Sequence, residues 1–227
     1  MLATAISRTC TTNRLWQSFR RAGGSGPMNV VGRAFSATTA SNNDDNSNTT
    51  SSVFDKIAVI GTGKMAQAIL HPLIEKGVQP AQKFTIFDAQ PKTMQTLHEQ
   101  YGVNTANSIP EAVAGADLVL CAVKPQNLTD KFFAECRKAE PSEESIFLSV
   151  IAGKPSDIYT QGGFSKIVRS MPNTPATIGQ GMTVWSCTPN LTADERKKIR
   201  TVLSSTGKSV RVCHFRQLWM YATVWGL

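Results

Sequence analysis

Residues 56–70, KIAVIGTGKMAQAIL, hold the pattern with the clearest chemistry in the chain. A short apolar run, Ile57 to Ile60, stops at Gly61-Thr62-Gly63, and Met65, Ala66, Ile69 and Leu70 follow at helical spacing. Strand, glycine turn and helix in that order are the context a dinucleotide fingerprint requires. Gly61 can take the tight turn. Gly63 has no Cβ, so backbone can come close to a pyrophosphate. Ala66 fills the third small position, where helix packs on strand. The free N–H groups of the first helical turn, and the helix dipole, then face negative charge. A strand-to-helix turn that needs glycine for geometry alone is the competing reading.

Four further stretches carry polar or small residues where strands should end. Asp88 closes the run Phe84 to Phe87, a little over twenty residues past the fingerprint. A carboxylate there can accept hydrogen bonds from an adenosine ribose and repel a 2′-phosphate, which favours NAD over NADP; it can equally make an Asx turn before the next helix, and the two roles are compatible. Ala122-Val123-Lys124-Pro125 ends a buried strand, with proline fixing the chain as it leaves the sheet. Ser149-Val150-Ile151-Ala152-Gly153 ends another, and its small residues let a nicotinamide ring lie against backbone. In Arg169-Ser170-Met171-Pro172-Asn173-Thr174-Pro175, two X-Pro steps should hold Met171 and Thr174 extended and present Asn173 at the sheet edge with donor and acceptor both available.

The elements that must position these residues alternate. Apolar runs at 57–60, 84–87, 103–106, 117–123, 146–152 and 166–170 read as strands. Amphipathic stretches from Lys64, at 91–101, 110–114 and 128–138 read as helices between them. ADLVLCAV is almost continuously apolar, as in a strand buried on both faces of a parallel sheet. Pro72 should kink the first helix and Gly77 should end it. A strand at 182–187, a helix at 191–204 opened by a Thr192/Glu195 capping box, and a short strand at 209–212 complete the pattern. The fold class is α/β: doubly wound and Rossmann-like, a mostly parallel sheet with helices on both faces.

Composition narrows the function. Residues 1–43 contain five arginines, no lysine and no acid; subtracting them leaves 19 basic against 16 acidic residues, so the body of the chain is nearly balanced and no nucleic-acid surface is expected. No apolar run reaches the length of a membrane span. The five cysteines show no C-x-x-C pairing and no histidine at metal spacing, so no metal is expected, and Cys121 reads as a small core residue. Residues 1–43 are rich in Arg, Ser, Thr and Ala, which reads as an organelle presequence, with Arg33-Ala34-Phe35-Ser36 similar to a mitochondrial processing site. The mitochondrial matrix is the expected destination, with a plastid second and a disordered basic tail as the bland reading. Residues 44–54 read as a disordered linker, 55–213 as the NAD(P)-binding Rossmann domain, and 214–227 as an atypical tail without helical or strand period.

IGTGKMAQAI, AVKPQ, SVIAG and RSMPNTP, in this order and spacing, resemble pyrroline-5-carboxylate reductase, the last enzyme of proline synthesis. The resemblance runs from about Lys56 to Val212. It implies that Ile60, Gly61, Thr62, Gly63, Lys64 and Met65 hold the pyrophosphate of NADPH or NADH, and that Asp88 and Asn107 sit at the adenosine. It implies that Ala122, Val123, Lys124, Pro125, Val150, Ile151 and Ala152 line the nicotinamide side, with Met171, Pro172 and Asn173 near the reacting centre. Many family members carry a small polar residue where Asp88 stands, which leaves the choice between NADPH and NADH open. The implied reaction is hydride transfer to the imine of 1-pyrroline-5-carboxylate, giving L-proline. In the family a helical second domain with a Ser/Gly-rich opening supplies the substrate groups and builds a homo-oligomer. No such signature follows Val212 here, so the expectation is a cofactor half without its substrate half, weakly active or inactive, exposing an apolar edge. A dinucleotide-binding module without catalysis is the alternative. A β-hydroxyacid dehydrogenase would place a lysine on a later helix, and the sequence offers none.

Overall fold

The computed structural model describes residues 52–154 and 156–213. The presequence, nearly all of the linker and the tail read from the sequence lie outside these residues.

Eight strands form one sheet in the order β3-β2-β1-β4-β5-β6-β7-β8. They are β1 (Ile57–Ile60), β2 (Phe84–Phe87), β3 (Asn104–Thr105), β4 (Leu118–Cys121), β5 (Ile146–Ser149), β6 (Lys166–Pro172), β7 (Gly181–Cys187) and β8 (Gly207–Arg211). All neighbours pair parallel except β6 and β7. The α-helices are α1 (Lys64–Glu75), α2 (Pro91–Tyr101), α3 (Ile109–Val113), α4 (Asp130–Lys138) and α5 (Ala193–Ser204). Between β5 and β6 the crossover is a 3-10 segment, Ser156–Gly162, rather than an α-helix.

Every residue of β1, β4 and β5 is buried, because both sheet faces are covered. Strand alternation divides the core. Ile57 and Val59 pack on one face with Ile69 and Leu73 of α1, Leu97 of α2 and Ile199 and Leu203 of α5. Ala58 and Ile60 pack on the other with Val113 of α3, Phe132 and Phe133 of α4, and Tyr159. The doubly wound reading therefore holds on both faces. Gly77 takes φ +65 just past α1, and its N–H bonds the Ile74 carbonyl, ending that helix. The Thr192/Glu195 capping box opens α5.

Four sequence-based expectations change. β3 shrinks to two residues because it pairs only with β2 at the sheet edge. β6 continues past Ser170 through Met171 and Pro172, because β7 returns antiparallel and pairs them with Val184 and Thr183. Thr174 is not extended. It opens a 3-10 helix, Thr174–Ile178, where the missing proline N–H of Pro175 costs no bond in the first turn. β8 also starts earlier than expected, at Gly207, where an added Cβ would come within 2.2 Å of the Gly181 carbonyl oxygen.

Candidate functional site

The order β2-β1-β4 reverses direction between β1 and β4, which is where α/β folds bind ligands at the carboxyl ends of strands. A cavity of about 890 Å³ opens there. Its walls come from four connections: the glycine turn between β1 and α1, the loop from β2 into α2, Ile109 at the start of α3, and the loop from β4 into α4.

The glycine turn is built by contact with β4. Gly61 sits at φ +89, and a Cβ on it would lie 2.9 Å from the Ala122 carbonyl carbon and oxygen and from the Val123 nitrogen. Only glycine fits both the conformation and the approach. Gly63 differs. Its φ is −68°, it stands at the N-cap of α1, and a Cβ there would meet nothing within 4 Å. The first turn of α1 contains no acid, and Gly63 makes no side-chain cap, so the helix end is left for an anion.

Asp88 ties β2 to this turn. Its Oδ2 accepts the Thr62 backbone N–H and hydroxyl, and its Oδ1 accepts the Gln90 N–H. The Asx-type turn weighed from the sequence is therefore present, and the carboxylate also faces the cavity. Gln67 Nε2 donates to the Thr62 carbonyl at 2.7 Å, holding the turn from the helix side.

Of the residues named from the sequence, Ile60, Gly61, Thr62, Gly63, Asp88, Ala122, Val123 and Lys124 line this one cavity. Lys64 and Met65 begin α1 just beyond its wall, and Pro125 begins a 3-10 turn after β4. Val150, Ile151 and Ala152 lie past the end of β5, and Met171, Pro172 and Asn173 at the end of β6, farther along the same sheet edge. Asn107 is exposed outside the cavity, where its backbone N–H bonds the Glu111 carboxylate. Asn173 does not present both amide groups: its Oδ1 accepts the Met182 N–H at 2.8 Å and closes the β6–β7 connection. The sequence reading missed Gln90 and Thr93 on the α2 side, and Gln126, Asn127, Thr129, Lys131, Phe132 and Glu135 on the α4 side. The available signal was positional: each follows the carboxyl end of a strand flanking the switch point. Thr129 also caps α4 by accepting the Phe132 N–H.

Among the described residues no group of three or more His, Cys, Asp or Glu could hold a metal ion, and no helix is long and apolar enough to cross a membrane. The cavity fits an extended, negatively charged ligand. It has an uncapped helix end, a Cβ-free approach at Gly63, two lysines, and a fixed carboxylate at the β2 end.

Comparison with known proteins agrees. The family model described as NADP oxidoreductase, coenzyme F420-dependent, matches residues 56–153. The pyrroline-5-carboxylate reductase of Escherichia coli (strain K12) is 37% identical over 137 residues, covering 60% of this chain and 49% of that protein. The solved pyrroline-5-carboxylate reductase of Coxiella burnetii superposes with a TM-score of 0.70 at 25% identity, covering 75% of this chain and 63% of that one. The Plasmodium falciparum pyrroline carboxylate reductase, solved with NADP bound, shares the fold, with a TM-score of 0.62 at 21% identity over 75% of this chain and 62% of that one. Over its Rossmann region the chain thus matches pyrroline-5-carboxylate reductases, as the four sequence motifs implied. The chain spans about half the length of the Escherichia coli relative.

Proposed function

We propose that this chain is the dinucleotide-binding part of a pyrroline-5-carboxylate reductase, acting in NAD(P)H-dependent reduction of 1-pyrroline-5-carboxylate to L-proline. The observation that carries it is the cavity at the β1/β4 switch point, walled by the glycine turn and the AVK residues of β4's exit. The bound nicotinamide cofactor supplies the hydride. The protein supplies position and field. The N–H groups and dipole of α1 face the pyrophosphate. Gly63 lets backbone approach it. Asp88 stands at the adenosine ribose, and the ends of β5 and β6 receive the nicotinamide and the reacting carbon. Substrate recognition, turnover and the homo-oligomer that the family resemblance implies extend this proposal.

Calorimetric titration of the full chain with NADH and NADPH tests the cofactor reading. Micromolar binding of at least one is expected, and absence of both rejects it. A turnover assay following NAD(P)H oxidation by 1-pyrroline-5-carboxylate then separates a reductase from a binding module, the second reading. Binding without turnover selects the module. We further propose delivery to the mitochondrial matrix, supported by the acid-free, arginine-bearing composition of residues 1–43; a fluorescent fusion that stays outside mitochondria rejects that part.

A further inference from the structure

Ser149, at the end of β5, is fully buried and works through both ends of its hydroxyl. Its Oγ donates to the Tyr159 phenol oxygen at 3.0 Å and accepts the Ile151 backbone N–H at 3.2 Å. The Val150 N–H is held by the Cys121 carbonyl at 3.2 Å. The first two peptide groups of the loop after β5 are therefore both tied down. On β6, the Arg169 side chain bonds the same Tyr159 phenol, and Ser170 Oγ donates to the Ser149 carbonyl at 3.2 Å. Tyr159 reaches in from the 3-10 segment 156–162 and is itself fully buried.

The ring of Tyr159 has its own packing, against Phe147 and Phe133 at centroid distances of 5.4 and 6.4 Å. A phenylalanine would fill that space equally well. The hydroxyl is what joins three separate pieces: the loop after β5, the strand β6 and the 3-10 segment. Buried polar networks of this kind specify one geometry when fully satisfied.

We infer that Tyr159 is a positioning residue for the nicotinamide end of the cofactor: through Ser149 it fixes the Val150–Ala152 backbone against which that ring lies. The inference rests on the dinucleotide reading above and deepens it. Burial, the largest influence on the phenol, raises it above its ordinary value against the pull of Ser149 and Arg169, so the clamp stays uncharged at physiological pH.

The test compares NADH with ADP-ribose, which has the adenosine, the pyrophosphate and both riboses but no nicotinamide. Full-chain protein is titrated calorimetrically with each. Tyr159→Phe is expected to weaken NADH about fivefold, the worth of one lost hydrogen bond, and to leave ADP-ribose unchanged. Ser149→Ala should do the same, and the double variant should be no worse than either single one. Equal weakening of both ligands by Tyr159→Phe overturns the inference, because a general loss of structure moves both. No change in either overturns it as well. Wild-type protein that binds ADP-ribose as tightly as NADH overturns this inference alone. Wild-type protein that binds neither overturns the dinucleotide reading and the clamp with it.

Discussion

The Asp88 carboxylate holds Thr62 by two bonds from one oxygen, 2.6 Å to the backbone N–H and 2.9 Å to the hydroxyl. The residue proposed to face the ribose is thus also the bolt of the glycine turn. Asp88→Ala should lower unfolding free energy by about 1–3 kcal/mol in urea denaturation, since donors on Thr62 and Gln90 lose their acceptor. The same change should raise NADPH affinity relative to NADH. An unaltered NADPH-to-NADH ratio in calorimetry would remove Asp88 from cofactor selection and leave it a structural role.

The two glycines of the turn should fail differently. Gly61→Ala forces a side chain into φ +89 and against the Ala122 backbone, and should cost about 2–4 kcal/mol of stability. Gly63→Ala meets open space at an ordinary φ and should melt within a degree or two of wild type. On the proposed dinucleotide reading its methyl group would meet the approaching phosphates, so dinucleotide affinity should fall about tenfold or more. Equal melting losses in the two variants would contradict this division of labour.

Lys166 sets a pH profile. Its ammonium bonds Glu144 and Glu195, both at 2.6 Å, and these bonds raise it above the ordinary lysine value. Burial pushes the Glu195 carboxyl up, but bonds from Lys166 and Thr192 outweigh it and leave the group below the usual carboxylate range. The depressed carboxyl contributes stability above its unfolded value near 4.3, lost as pH falls through the folded value; the raised ammonium contributes below about 10.4, lost as pH rises through its folded value. The contribution of this pair, read as the difference in urea midpoint between wild type and Lys166→Met, should therefore hold steady between about pH 5 and 10 and shrink on both sides. On that plateau the variant should be about 2 kcal/mol less stable, and its alkaline drop should be flatter. An alkaline limb identical to wild type would count against the pairing.

Thiol chemistry should track burial. Burial pushes the Cys136 thiol up to about 12 and the Cys121 thiol higher still. Cys213 is exposed. At pH 8 an alkylating reagent should modify Cys213 quickly and reach Cys121 and Cys136 only on global unfolding, as read by mass spectrometry of peptides over time. Early labelling of Cys136 in native protein would show that α4 opens locally.

Much of this was legible in residue order. Ile57 to Ile60 and Phe84 to Phe87 read as strands with correct ends because glycine and aspartate punctuate them. Thr192 and Glu195 announced α5 three residues apart. The misreadings share a cause. Thr174 and Asn173 depend on β7 returning beside β6, and a partner strand that lies ahead in the chain leaves no local mark on MPNTP. The second role of Ala122 is likewise non-local: AVKP reads as a strand exit whose loop backbone can line a cofactor, and the same backbone is also the surface against which Gly61 is shaped. Lys131 and Glu135 of α4 escaped because their polarity resembles that of any solvated helix start, and Phe132 because it reads as an ordinary core residue.

The contact between Gly61 and Ala122 also fixes an order of events. β1 pairs with β4 through Ile57 and Leu118, so a loop of about sixty residues must close before the glycine turn meets its template. Long-range parallel pairing is slow to form. A nascent chain paused on the ribosome before β4 emerges carries the entire fingerprint and no pocket, so nucleotide can stabilise this domain only after its long-range topology is in place.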